Sequence, residues 1–96
     1  MDYIERLQKA IRDLHGCESV HEGSIAINET FQGKAVWQGV VEVFSLTDHS
    51  KAKHAYAWSY KNDAGKMSHV AVLEVPPITS PRDAVRAYIV AESRKK

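Results

Sequence analysis

The sequence predicts an α+β fold of the two-layer sandwich type. A four-stranded antiparallel sheet carries the N- and C-terminal helices on one face, in the order α-β-β-β-β-α. Three observations predict it. Apolar residues recur every three or four positions near both ends of the chain, they alternate every second position between residues 20 and 76, and short turn signals separate the alternating stretches. The 96 residues make one α+β domain over 1–96 and are too few for two. A domain this small buries only roughly 60–65% of the surface its unfolded chain exposes, so its core is thin.

The first helix follows from Tyr3, Ile4, Leu7, Ala10, Ile11 and Leu14, which line one stripe at helical spacing. Asp2 and Glu5 have the form of a capping box, Gly16 is a natural stop, and His15 suits the C-terminal end of the dipole. Ile25, Ile27 and Phe31 share one side of a first strand, followed by a turn at Gln32, Gly33 and Lys34. Residues 36–46, VWQGVVEVFSL, are rich in β-branched and aromatic side chains and form the second strand. Gly39 inside that strand marks either a bulge or a close backbone approach. Residues 53–61 form the third strand, NDAG at 62–65 is a turn, and residues 67–75 form the fourth strand, which Pro76 and Pro77 end. Ser80 caps the last helix, Pro81 takes its first position, and Asp83 stands three residues after the cap. Ala84, Val85, Tyr88, Ile89 and Ala91 form its buried stripe, and Arg94, Lys95 and Lys96 suit its C-terminal end.

Each helix has a single apolar stripe, so both are expected to pack on the same face of the sheet and to leave the other open. The second strand has Val36, Val40 and Phe44 on one side and Trp37, Val41 and Val43 on the other, and the fourth is also apolar on both sides. That is more apolar surface than one thin core can hide, and large exposed apolar patches mark interfaces. The expected role is therefore a small non-catalytic domain that forms a homodimer, or binds a protein partner, through the uncovered sheet face. Trp37, Tyr56, Trp58 and Tyr60 are the candidate contact residues, because large aromatics concentrate interface energy. The stretch KHAYAWSYK alternates large and small side chains, and for its aromatics plain core is narrowly the better reading than a contact face. A one-residue slip in register exchanges its faces, so the sequence leaves open which side holds Tyr56 and Trp58.

Other functions are weighed against composition. The chain is 44% hydrophobic and 26% charged with a formal net charge of +1, whereas proteins that mainly neutralise nucleic-acid phosphates have a basic excess. A local version of that chemistry stays open: Lys51, Lys53 and His54 could hold a single strand whose bases stack on Tyr56, Trp58 or Tyr60. A third alternative is a small-molecule pocket between sheet and helices, lined by Tyr88 and His54. His15, Cys17 and His21 are metal-ligand types, but their spacing matches no zinc pattern, and no metal or cofactor is expected. Cys17 follows a helix C-terminus, where the dipole disfavours a thiolate, so it is not expected to be a nucleophile. His49, His54 and His69 lie in or near the third and fourth strands without a serine–acid arrangement or a Gly-rich phosphate loop beside them. No apolar run approaches the ~20 residues of a membrane span. The N-terminus lacks the apolar block of a signal peptide, so a cytoplasmic location without membrane association is expected.

Overall fold

In the computed structural model, which describes residues 2–94 and side chains as far as residue 92, the expected order of elements is present. Helix α1 (Tyr3–His15) is followed by β1 (Glu18–Phe31), β2 (Lys34–Thr47), β3 (His54–Lys61) and β4 (Met67–Leu73), and helix α2 (Pro81–Arg94) closes the chain. The four strands form one open antiparallel sheet in sequence order. The capping box of α1 is complete: Glu5 N donates to Asp2 Oδ1 (2.8 Å) and Asp2 N donates to Glu5 Oε1 (3.3 Å). Gly16 ends the helix at φ 70°, and its N–H donates to the Arg12 carbonyl. At α2, Asp83 N donates to Ser80 Oγ (3.2 Å), while Asp83 Oδ2 accepts from Thr79 N (3.1 Å). The cationic end expected at Arg94, Lys95 and Lys96 lies outside the described side chains.

β1 begins well before the expected strand and pairs with β2 along nearly its whole length, around a two-residue turn with Gln32 at φ 53° and Gly33 at φ 79°. By contrast, the β2–β3 ladder covers only the four residues from Glu42 to Ser45. The remainder of β2, with its β1 partners, therefore projects past β3 as a two-stranded arm. Two register shifts mark the β1–β2 pair, one with Glu22 as the extra residue and one with Val36. Gly39 is not a bulge. A Cβ there would stand 3.0 Å from the Trp37 ring, so its role is the close approach that the sequence offered as the other explanation.

The helices do not share a face, which corrects the two-layer arrangement. Leu7 and Ile11 of α1 pack with Cys17, Phe44, Ala55 and Ala57, whereas Ala84 and Val85 of α2 pack with Ile27, Val41, Tyr56 and Trp58. Neighbouring residues of a strand point to opposite sides, so Ala55 and Ala57 face α1 while Tyr56 and Trp58 face α2. The sheet lies between the helices in three layers. The connection at residues 74–80 makes this possible, since seven extended residues reach up to roughly 24 Å, more than the ~10 Å between packed layers. Strands apolar on both sides are what two-sided cover requires.

The β2–β3 loop is held by one imidazole. His49 Nδ1 accepts from Lys51 N (3.1 Å) and Ala52 N (3.0 Å), and Ala52 is buried. His49→Ala is expected to speed amide exchange at Lys51 and Ala52 by about tenfold or more while leaving β3 protected. Unchanged exchange at both amides would show that the ring does not hold the loop.

Candidate functional site

The alternating stretch resolves into core. Trp58 stands opposite Val70, and Tyr56 and Trp58 are only 4% and 2% exposed beneath α2. Trp58 meets Trp37 edge-on with centroids 5.5 Å apart and Tyr88 edge-on at 5.5 Å, and Tyr88 in turn leans on Tyr60 at 5.9 Å. The indole N–H of Trp58 is buried and has no hydrogen-bond partner among the described residues; its near neighbours are these rings. The structure thus brings Trp37, Trp58 and Tyr60 together with Tyr88, but as packing between sheet and helix. Tyr56 and Trp58 are not on an uncovered face, because α2 is the cover. The same fact removes the stacking platform that the nucleic-acid alternative requires. Lys51 and Lys53 are exposed in the loop at the start of β3, while Tyr60 is near its other end.

Tyr56 and His54 share an acceptor. Tyr56 Oη–H donates to Glu74 Oε2, and His54 Nδ1 donates to Glu74 Oε1 at 3.0 Å. The hydrogen bonds from Tyr56 and then His54 hold the Glu74 carboxyl below its usual range, and burial, followed by the Glu74 bond, raises the Tyr56 phenol. Tyr88 is pushed up to about 12, first by burial and then by the charge of Tyr60. The expected pocket lined by Tyr88 and His54 is not formed: Tyr88 fills space against Trp58, and His54 is engaged by Glu74. A group whose folded pKa is raised stabilises the fold fully below its unfolded value and ceases to do so as the pH passes the folded one. Thermal stability is therefore expected to fall between pH 10 and about 12, from the unfolded tyrosine value to the folded value of Tyr88. Tyr88→Phe should lessen that fall and leave the part due to Tyr56, and a melting temperature level across the window in the parent would contradict the assignment.

On the α1 side, the helix covers the Phe44, Ala55 and Ala57 end of the sheet, and polar side chains occupy the rest. His21 Nε2 donates to Glu42 Oε1 (2.8 Å), Ser24 Oγ–H donates to the same oxygen, and Ser59 is bonded to His69 Nδ1. Among the described residues no group of three His, Cys, Asp or Glu could hold a metal ion. Cys17 is buried, and burial raises its thiol pKa, which makes it a poor nucleophile. No helix among the described residues is long and apolar enough to cross a membrane. Comparison with protein-family models, with curated proteins and with solved structures finds no match to this chain.

One feature of the sheet is left open for recognition. β1 and β4 are its two edge strands, and an edge presents unpaired N–H and C=O groups to any strand that approaches. Side chains blunt both edges in places. His15 Nε2 donates to the Ala71 carbonyl of β4 (2.9 Å), and Gln8 Nε2 donates to the Ser19 carbonyl of β1 (3.0 Å). The bulge at Glu22 interrupts β1 just beyond. From residue 23 to residue 29 the ladder to β2 is regular, and among the described residues no side chain bonds the main chain of that run. It reads Gly23, Ser24, Ile25, Ala26, Ile27, Asn28, Glu29, with none of the lysines or prolines that usually discourage edge pairing. Sequence reasoning looked to the aromatics and passed over this stretch. Its signal was the lack of gatekeeper residues in an alternating strand.

Proposed function

We propose that the protein is a self-associating, non-catalytic domain in which two copies join β1 to β1 across a two-fold axis, extending the sheet from four strands to eight. The observation that carries this reading is the unblunted run 23–29, set between a capped carbonyl and a bulge on one side and the arm tip on the other. Its residues are self-complementary. An antiparallel pair that uses the whole run is centred on Ala26, so Ile25 meets the partner's Ile27, Ser24 meets the partner's Asn28, and Gly23 meets the partner's Glu29. Isoleucines meet on the α2 side, polar and small side chains meet on the α1 side, and no like charges oppose one another. Ile25, 42% exposed in the single chain, gains an apolar neighbour. Association thus runs through the sheet edge, where main-chain hydrogen bonds supply affinity, and not through a sheet face. Sedimentation velocity at micromolar concentrations tests it: a concentration-dependent dimer is expected, and a monomer at every concentration overturns the reading.

A further inference from the structure

At the arm tip, Glu29, Thr30, Phe31, Val36, Arg86, Ile89 and Val90 enclose an open cleft of about 380 Å³ between β1, β2 and α2. That is within the size range of small-molecule sites. Its walls are apolar and unusually bare: Phe31 is 66% exposed, Val36 47% and Val90 48%. The tight turn at Gln32 and Gly33 fixes one wall, α2 fixes the other, and Val36 is the extra residue of the bulge, a device that re-aims a side chain. The rim is cationic. Arg82 and Arg86 both bond to the one Glu29 carboxylate, Asp83 lies near enough to Arg86 to feel its charge, and each guanidinium keeps further N–H donors in reach of solvent.

We infer that this cleft binds a free, carboxylate-headed amphiphile, its apolar chain lying against Phe31, Val36, Ile89 and Val90 and its carboxylate meeting Arg86 and Arg82. Charge complementarity chooses the head group, since Glu29 is already engaged and a cationic head would face two guanidinium groups. The inference does not depend on self-association, because the cleft is formed within one chain.

Dodecanoate, kept below its micelle concentration, is the probe, and amide and methyl NMR shifts of the full chain are the readout. Saturable shifts are expected at Thr30, Phe31, Val36, Ile89 and Val90. Val90→Asp and Arg86→Met should each weaken dodecanoate at least tenfold, with the remaining spectrum unchanged. Equal binding of dodecyltrimethylammonium would overturn the inference, as would shifts scattered away from the cleft or none. Shifts at Ile89 and Val90 of α2, away from the β1 seam, that follow protein concentration without the probe would mean that a second copy occupies the cleft. Binding to anionic phospholipid vesicles but not to dodecanoate would mean a membrane surface; either result defeats the proposal.

Discussion

Trp58→Ala is expected to lower the melting temperature by on the order of 12–40 °C. Removing a buried Trp or Phe side chain costs about 3–5 kcal/mol, and one kcal/mol shifts the melting point of a domain this size by about 4–8 °C. Total stability at this length is roughly 5–14 kcal/mol, so the variant loses a large fraction of it. The effect is large because the indole is the shared neighbour of Trp37 and Tyr88 and helps seat α2 on the sheet. Trp58→Phe should cost clearly less: it keeps a ring against both neighbours and removes a buried N–H that has no partner. Thermal melts followed by circular dichroism, run at low protein concentration, provide the check. A Trp58→Ala variant that melts with the parent and differs only in sedimentation would return the ring to an interface and undo the three-layer assignment.

That contrast marks what the sequence discloses and what it withholds. The elements were legible because their signals are local. Asp2 and Glu5 cap α1, Gly16 ends it, Ser80 and Pro81 open α2, and the period of two between them is broken only at turns and at the two bulges. The side of the sheet on which α2 packs depends on the path of residues 74–80, which no local preference encodes. The apolar character of both faces of β2 held the answer, with Val41 turned to one helix and Phe44 to the other. Read with one face bare, the same pattern calls for a missing partner. Once each helix has its own face, much of the apolar surplus that called for a dimer disappears, and the rest of the α1 side carries Ser24, Ser59 and His69 with a buried Glu42, beside an exposed Val40. Exposed apolar side chains are now scattered over α1, α2 and the strand ends, with a cluster on the arm at Ile25, Phe31, Val36 and Val40. The arm was illegible because it arises from a mismatch in pairing: β1 and β2 share a long ladder, while β2 and β3 share a short one. Strand length can be read from sequence, but the extent of pairing between strands is a property of the assembled sheet.

The edge reading makes its strongest prediction at Ala26. On a two-fold seam centred there, the residue lies beside its own symmetry mate, with Cβ atoms about 4.5–5.5 Å apart. Ala26 is exposed on the α1 side, where a charged side chain reaches water, so Ala26→Lys and Ala26→Glu should each shift stability by no more than about 0.5 kcal/mol. Either variant alone places identical charges face to face, and each should dimerise at least tenfold more weakly than the parent, a cost of about 1.4 kcal/mol or more. Mixed in equal amounts, they place opposite charges across the seam, and a heterodimer should appear that weakens as salt is raised. Restoration on mixing cannot arise from misfolded components, which separates loss of the seam from loss of the fold. Met67→Lys on β4 supplies the counterpart, since His15 already occupies an edge carbonyl of that strand and no change in association is expected. If both Ala26 variants sediment like the parent, β1 is not the seam; if Met67→Lys alone dissociates the dimer, the pairing edge is β4 and His15 must yield to admit a strand.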